Sequence, residues 1–307
     1  MSEKTGISWA DSTASPWTGC TEVSPGCLNC YSRELAKRYG WCGWGKGVLR
    51  HRFKGFEKAC LRMNREPWIC EDCGCPQKNP NSRCSMGSMM HRRRIFPSLM
   101  DWLDPEVPVA WLADMLDVIR RCPDCDFLLL TKRPELWEKR MMQIARGNIL
   151  IMSTEKRECG ELWVEGEEIP DNIWVGTTVE NQEMAHKRIP ELLKIPARVR
   201  FLSCEPLLTS INLGDCLGEV ELMTYSAYNS TAHCAGGIDW AIVGCESGPH
   251  RRNMFDVTEH SRYIKQQCQT ASVPVFVKQL PINGKVSHDP QEWPSDMRVQ
   301  QFPEPKR

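Results

Sequence analysis

From Arg94 onward, short apolar runs alternate with segments whose apolar residues recur at helical spacing. The apolar runs have strand length, and they are Ile95-Phe96, Phe127–Leu130, Ile173–Gly176, Val199–Leu202, Trp240–Val243 and Val275–Val277. Helical spacing occurs at Leu112, Met115, Leu116 and Ile119, and over 134–145, 181–193 and 258–269. A period of two or a short apolar run is typical of strands, whereas i, i+3, i+4, i+7 spacing is typical of helices.

Strand–helix repeats of this size predict an α/β fold with a parallel sheet and right-handed crossovers. The repeats, with a possible first strand at 6–9, favour an open or partial (β/α) barrel. The alternative from periodicity alone is a doubly wound sheet. We interpret 155–170 and 215–237 as irregular insertions in the alternation.

Changes in composition divide the chain into four parts. Residues 1–40 carry a cysteine-bearing loop and a first helix, 41–93 form a Cys-rich insertion with little periodicity, 94–285 hold the strand–helix alternation, and 286–307 form a polar, Pro-rich surface tail. The first helix is predicted over Tyr31–Tyr39, because Gly40 is a typical C-terminal stop.

The cysteine-bearing loop places Cys20, Cys27 and Cys30 at C-x6-C-x2-C spacing. Pro25 and Gly26 within it prevent a regular element. Three clustered thiolates without an obvious fourth suit an iron–sulfur cluster with one open iron, since structural zinc normally closes with four ligands. The alternative is a zinc knuckle that takes a distant Cys or His as its fourth ligand.

A second cysteine group follows in the insertion, at Cys70, Cys73, Cys75 and Cys84. Four thiolates at this spacing predict a second metal site, either tetrahedral zinc or a second iron–sulfur cluster. The remaining alternative is that these thiols bind nothing.

Composition adds the compartment. The chain has 307 residues, of which 41% are hydrophobic and 17 are cysteine. No apolar run approaches the ~20 residues of a membrane span, and the N-terminus lacks the apolar core of a signal peptide. We therefore expect a cytoplasmic protein, in the host cytoplasm if it is phage-encoded, in which cysteines bind metal rather than form disulfides.

The charge balance gives only a weak prediction of the binding partners. Lys and Arg together number 39, as do Asp and Glu, so the net charge is zero. This argues against a dominant non-specific grip on nucleic acid. The basic clusters Arg50–Arg52 and His91–Arg94 are either solvated surface charge or local phosphate guides.

Several motifs resemble a phage-associated family related to radical S-adenosylmethionine (SAM) enzymes. The matching segments are Trp17-Thr18-Gly19-Cys20, Ser24-Pro25-Gly26-Cys27, Asn29-Cys30-Tyr31, Thr131-Lys132-Arg133-Pro134, Val179-Glu180-Asn181 and Ser203-Cys204-Glu205-Pro206-Leu207. The cysteine spacing is three residues longer than the common C-x3-C-x2-C loop, but that family carries the longer form. The resemblance extends to about residue 280.

The resemblance implies a partial (β/α)6 barrel of the radical-SAM type. It implies a [4Fe–4S] cluster on Cys20, Cys27 and Cys30, with SAM on the open iron. One electron, from a donor such as flavodoxin or ferredoxin, would cleave SAM and give a 5′-deoxyadenosyl radical that abstracts a substrate hydrogen.

Candidate site residues follow the apolar runs, because chemistry in barrels of parallel strands lies at the strands' C-terminal ends. The candidates for cofactor binding are Tyr31, Ser98, Asp101, Thr178, Glu180, Asn181 and Ser203, and the candidates for catalysis are Lys132, Glu205, Glu246 and Lys278. Glutamates recur at successive strand ends with lysines among them, so we expect them to face one mouth.

The family's occurrence in phages implies a nucleic acid or modified nucleotide as substrate. We expect DNA hypermodification by rearrangement of an amino-acid adduct on thymine; an alternative is a lyase acting on a damaged pyrimidine. A hypothesis from another class is a zinc-stapled nucleic-acid-binding protein without catalysis, which predicts zinc only and no SAM binding.

Overall fold

The computed structural model describes residues 2–82, 89–147, 152–217, 221–224, 232–235, 237–247, 250–252 and 255–304. Backbone contacts divide the chain into two compact units, each built from several segments. The first unit comprises Met1–Thr21, Leu35–Leu129 and Lys139–Trp174, and the second comprises Glu22–Glu34, Leu130–Glu138 and Val175–Arg307.

The helices of the described residues are α1 (Tyr31–Tyr39), α2 (Phe56–Met63), α3 (Val109–Arg120), α4 (Trp137–Ala145), α5 (Thr154–Glu165), α6 (Gln182–Leu193) and α7 (Val257–Thr270). Short 3₁₀ turns occupy Pro25–Cys27, Pro134–Leu136, Gly214–Cys216, Pro290–Glu292 and Ser295–Met297. Within this described part, no helix combines the length and the apolar character that crossing a bilayer requires.

The strands are β1 (Ser12–Thr13), β2 (Trp17–Thr18), β3 (His51–Arg52), β4 (Trp68–Cys70), β5 (Pro76–Gln77), β6 (Met90–Arg92), β7 (Arg94–Phe96), β8 (Asp126–Thr131), β9 (Ile173–Thr178), β10 (Val199–Cys204), β11 (Glu221–Thr224), β12 (Ala232–Ala235), β13 (Trp240–Gly244), β14 (Val275–Ile282) and β15 (Lys285–Ser287). Eight of them hydrogen-bond in the order β1-β7-β8-β9-β10-β13-β14-β15. The β1–β7, β7–β8, β10–β13 and β13–β14 pairs are parallel, and β14–β15 is antiparallel.

The predicted α/β class is confirmed as a mixed α/β fold with one open eight-stranded sheet. All the predicted apolar runs from Ile95 onward lie in its strands, and they are almost completely buried. The predicted first helix is also present, and Gly40 after it adopts a left-handed φ of 67°. The predicted strand at 6–9 is wrong, because the first strand of the sheet is Ser12–Thr13 instead.

Two segments that we expected to be irregular contain helices. In the first unit, α5 lies in the 155–170 segment and buries Gly160 and Trp163. The Cys-rich insertion contains α2, whose buried face includes Phe56 and Met63. The insertion therefore packs conventionally in this part. The apolar spacing of α2 is regular, with Phe56, Ala59, Cys60 and Met63 on one face, so the sequence carried the signal and we missed it. In α5, glycine and charged residues interrupt the apolar spacing.

The expected surface tail is packed in the second unit. Trp293 and Met297 are buried, and β15 pairs with β14. Gln301 donates its backbone N–H to Val275 at 2.9 Å, which adds a further contact to the same strand. Two large apolar side chains among prolines were the signal for this packing.

Candidate metal and cofactor sites

A short loop in the second unit carries two of the predicted cluster ligands. We call residues 24–30 the Cys27 loop. Pro25–Cys27 form one 3₁₀ turn, with Pro25 at its start, where the missing N–H costs nothing. The backbone N–H of Cys27 donates to the Ser24 carbonyl at 3.0 Å. Cys27 and Cys30 are both half-buried free thiols.

A buried carboxylate anchors this loop. Glu180 follows β9 and has no exposed surface. Its Oε1 accepts a hydrogen bond from the Gly26 backbone N–H at 3.0 Å. Its Oε2 accepts one from Arg188 at 2.8 Å, and Arg188 is itself buried on α6. A Cβ on Gly26 would lie 3.0 Å from the Glu180 carboxyl carbon, so the glycine allows this close approach.

The charge of Glu180 is stabilised by its neighbours. Burial by itself raises the pKa of Glu180, but Arg188, the Ser24 side chain and Lys132 lower it, as does the Gly26 N–H. The pKa of Glu180 therefore lies below its ordinary value of 4.5. A carboxylate that accepts charged and backbone donors remains ionised even when desolvated.

A second strand-end carboxylate contacts the same loop. Glu246, after β13, is buried and accepts hydrogen bonds from Arg252, at 2.8 Å from the backbone N–H and 2.6 Å from the guanidinium. Burial raises the pKa of Glu246, but hydrogen bonds from Arg252 and from the Asn29 side chain lower it below its ordinary value. The Cys27 loop is thus held by carboxylates from two different strand ends.

A third strand-end glutamate pairs with a lysine. The Nζ of Lys278 on β14 lies 3.1 Å from Oε1 of Glu205, which follows β10. The contact is an ion pair without the angle of a good hydrogen bond. A Cβ on Gly244 would lie 2.7 Å from the same oxygen, so this glycine makes room for the carboxylate. Burial and the charge of Lys278 lower the pKa of the nearby His288, against the effect of Glu205.

The remaining candidates of the second unit differ in their surroundings. Tyr31 begins α1 and is exposed. Ser203 and Thr178 are buried, and the Thr178 hydroxyl has no hydrogen-bond partner in the described part of the chain. The amide oxygen of Asn181 caps α6 by accepting the Met184 N–H at 2.9 Å, so this oxygen already has a structural role.

Cys20, the first predicted cluster ligand, lies in the first unit. Its carbonyl accepts the Gly45 N–H at 3.0 Å. The preceding Gly19 has a φ of 115°, and a Cβ there would lie 2.1 Å from the Gly43 carbonyl oxygen. Only glycine fits this conformation and this close approach. Cys20 is half-buried.

The other two candidates of the first unit follow β7. Ser98 lines a cavity of about 190 Å³ with Trp41 and Phe53 among its walls. Asp101 is buried, and its Oδ1 accepts the Leu103 N–H at 3.0 Å. Asp101 therefore closes a turn of its own segment.

Neither predicted basic cluster is simply surface charge. Arg50 is 2% exposed, pairs with Asp104 at 2.7 Å and donates to three backbone carbonyls of the loop before it. Arg93 and Arg94 are also buried, and Arg94 pairs with Asp11. These three arginines organise the first unit, and the expectation that they guide phosphates is wrong for them.

The second cysteine group converges in the first unit. The Sγ atoms of Cys70, Cys73 and Cys75 all lie within 4.8 Å of one another. Among the described residues, this is the one group of three or more His, Cys, Asp or Glu side chains with ligand atoms so close. Cys84, the predicted fourth member, lies outside the described residues.

Sequence reasoning missed the partners of the strand-end carboxylates. Arg188 lies in the apolar stripe of α6, between Met184 and Leu192 at four-residue spacing, and a cation there requires a buried anion. That pattern could have identified the pair with Glu180. Arg252 and Asn29 carry no comparable signal, because each lies in a polar loop.

The fold and these sites define a mixed α/β protein with two cysteine-bearing turns, one of them held by strand-end carboxylates. The chain belongs to the DUF5131 family, described as a protein of unknown function, whose family model matches residues 4–293. No curated protein and no solved structure matches the chain. The assignment to a radical-SAM-related family is therefore wrong: the family that matches is one of unknown function, and the match shows no radical-SAM signature.

Proposed function

We propose that this protein is an enzyme that binds a [4Fe–4S] cluster through Cys20, Cys27 and Cys30 and uses it for reductive cleavage of SAM. The observation that carries the proposal is the anchoring of the Cys27 loop by Glu180 and Glu246. Two buried, charged strand-end groups hold this loop, whose one large apolar side chain, Leu28, is exposed. Such rigid outer support is typical of metal-ligating residues.

The donor set fits an iron–sulfur cluster. Cys27 and Cys30 are free and half-buried, so a cluster would be shielded but reachable. Cys20 joins them through its spacing in the sequence. Thiolates are the usual ligands of such clusters, and three of them leave one iron for another ligand.

The chain's own charges suit the amino-acid end of SAM. Lys132 offers a cation for a carboxylate, and the Glu205–Lys278 pair offers both signs for a zwitterion. The buried Thr178 hydroxyl offers a hydrogen bond to a sugar hydroxyl. As a finer assignment of the fold, we propose that the open sheet is a partial (β/α)6 barrel with these groups at its strand ends.

Bound together, the cluster and SAM would supply one-electron cleavage of the sulfonium C5′–S bond, giving methionine and a 5′-deoxyadenosyl radical. The electron would come from a reduced flavodoxin or ferredoxin. The residues named above would bind the cofactor, orient it and exclude water, which would otherwise allow side reactions.

The test is anaerobic purification and reconstitution with iron and sulfide, followed by iron analysis, a visible spectrum and a 5′-deoxyadenosine assay with SAM and dithionite. We expect brown protein that bleaches on reduction and forms 5′-deoxyadenosine. Cys27→Ala should abolish both signals, and Cys42→Ala, at an exposed cysteine, should change neither. Colourless, iron-free wild-type protein would overturn the proposal and favour the non-catalytic alternative.

For the substrate we propose nucleic acid, and specifically a modified thymine in DNA. An aromatic cluster of the first unit supports this class. The Tyr39 and Trp41 rings stack with centroids 4.9 Å apart, and Trp41 stacks on His51 at 6.3 Å. Tyr39 is 60% exposed, and Lys37 and Arg38 precede it on the exposed end of α1. Exposed rings beside cations are typical of surfaces that stack unpaired bases.

Fluorescence titration with a single-stranded oligonucleotide tests this partner. Replacing an aromatic ring on which one base stacks costs about 1–3 kcal/mol of binding free energy. Tyr39→Ala should therefore weaken binding at least about fivefold. Tyr263→Ala, which removes another exposed ring, serves as control. Equal affinity of both variants and the wild type would exclude this surface as the binding site.

A further inference from the structure

We infer that the first unit holds a structural zinc ion on Cys70, Cys73 and Cys75. The three Sγ atoms lie within 4.8 Å of one another, and those of Cys73 and Cys75 are 3.0 Å apart. Cys70 is buried, Cys75 half-buried and Cys73 exposed, so the group runs from the interior to the surface. This inference is independent of the proposed catalytic function.

The backbone preorganises the three thiols. We call residues 70–75 the Cys70 turn. The Cys70 N–H donates to the Cys75 carbonyl at 3.1 Å, and the Gly74 N–H donates to the Cys70 carbonyl at 2.9 Å. Gly74 supplies the left-handed φ of 67° that reverses the chain between the second and third thiols. The side-chain N–H of Gln77 donates to the Cys75 sulfur at 3.5 Å, and such a donor stabilises a thiolate that binds a metal.

The sulfur spacing favours one shared metal ion. Two sulfurs bound at about 2.3 Å to a tetrahedral zinc lie about 3.8 Å apart. The Cys73–Cys75 separation of 3.0 Å lies below that value, and the 4.8 Å limit on all three pairs lies above it. In a [4Fe–4S] cluster each thiolate binds a different iron, which places the cysteine sulfurs further apart. A disulfide requires about 2.05 Å between sulfurs, shorter than the 3.0 Å between Cys73 and Cys75, and all three cysteines are free.

A zinc ion on the Cys70 turn would stabilise the small sheet to which this turn belongs. The Cys70 turn connects β4 to β5, which belong with β6 to a separate three-stranded sheet. These strands have only two or three residues each. So small a sheet buries little apolar area, and small modules of this kind are commonly stabilised by a structural metal. Zinc on the turn would tie one end of this sheet.

Metal analysis of purified protein tests the site. Wild-type protein should contain about one zinc ion per chain, and Cys73→Ser, at the exposed position, should reduce it to near zero. Cys42→Ser, at another exposed cysteine of the same unit, is the matched control and should retain zinc. The Cys84→Ser variant examines the fourth ligand predicted from the sequence, and loss of zinc there supports a closed four-thiolate site.

Measurements on the wild-type protein test the zinc site without relying on variants that could lose zinc by failing to fold. Titrating the thiols with a mercurial should release zinc to a colorimetric chelator, and replacing zinc with cobalt should give the charge-transfer bands of thiolate ligation.

The Cys20→Ala/Cys27→Ala/Cys30→Ala variant should keep its zinc even though it loses iron, which separates this site from the proposed cluster. Iron at the Cys70 turn, a Cys73–Cys75 disulfide, or zinc retained in Cys73→Ser would each overturn the inference.

Discussion

The Cys70 turn and the Cys27 loop each bring cysteines together within a few residues, but they are held in opposite ways. The Cys70 turn closes on itself, through backbone hydrogen bonds between residues at most five positions apart. The Cys27 loop depends on Glu180, whose bond to Gly26 spans 154 positions. The first arrangement is local, and the second exists only when distant strands are in place.

This difference determines what each region needs from the rest of the chain. A turn held by local bonds and a metal remains intact when remote packing weakens. A loop held by buried charges is lost when one of its anchors is removed, because a buried charge without its partner is strongly unfavourable. Substitutions should therefore affect the two regions independently.

The largest effect is expected from Glu180→Ala. It leaves the buried Arg188 guanidinium without its counterion, which costs about 3–5 kcal/mol in the free energy of unfolding. Urea denaturation measures this loss of stability. Iron analysis after reconstitution should show that the Cys27 loop no longer binds the iron–sulfur cluster, whereas the zinc content of the Cys70 turn should be unchanged. Glu183→Ala, at an exposed position on α6, is the control.

Adding Arg188→Met to Glu180→Ala should recover a large part of the lost stability, since replacing a buried pair by apolar side chains is often close to neutral. A loss below about 1 kcal/mol for Glu180→Ala alone would contradict the anchoring role, because that is the range of exposed pairs.

The same carboxylate should make stability depend on pH. The pKa of Glu180 is lowered by folding, so its contribution is fully present above its ordinary value of 4.5 and is lost as the pH falls through the lower folded value. Unfolding measured from pH 6 to pH 3 should show a steeper loss in the wild type than in Glu180→Gln. If the stability of both proteins fell equally with pH, protonation of Glu180 would not contribute to the loss, which would contradict the lowered pKa of Glu180.

Gly26→Ala should have an intermediate effect through crowding. The new Cβ would lie 3.0 Å from the Glu180 carboxyl group, and overpacking of this kind costs about 1–3 kcal/mol. Thermal unfolding and iron binding should both decrease. Gly6→Ala, where nothing lies within 4 Å, should be neutral, and equal stability of the two variants would exclude the close approach.

Gly74→Ala tests the Cys70 turn and should cost somewhat less free energy than Gly26→Ala. Nothing lies within 4 Å of a Cβ there, so the cost comes only from the left-handed backbone, about 1–2 kcal/mol. Asn tolerates that conformation better, so Gly74→Asn should be milder. Zinc affinity is the readout, and a larger effect of Asn than of Ala would contradict the conformational explanation.

The smallest effect is expected from Arg252→Met. Glu246 is buried, but Arg252 is partly exposed, so water can take the place of the guanidinium beside the carboxylate and the substitution should cost only about 1 kcal/mol. Chemical denaturation measures the stability, and Arg251→Met, at an exposed neighbouring position, is the control. A cost as large as that of Glu180→Ala would show that both anchors are equally buried.

The sequence predicted what depends on short-range pattern. The apolar runs that became β8 and β13 and the cysteine spacing of the Cys70 turn needed no distant information. The helix α5 was missed because glycine and charges break its apolar face, although Trp163 is buried. The anchors of the Cys27 loop depend on which strand ends meet it, and that is a property of topology rather than of any local motif.

The 154-residue separation between Gly26 and Glu180 has a consequence for synthesis. At about 5–20 residues per second, roughly 8–30 seconds pass on the ribosome before the anchoring glutamate is even made. During that interval Cys27 and Cys30 are displayed on an unfinished polypeptide, open to oxidants and to stray metal ions. Thiol-protecting conditions during expression should therefore matter more for these two residues than for the self-closing Cys70 turn.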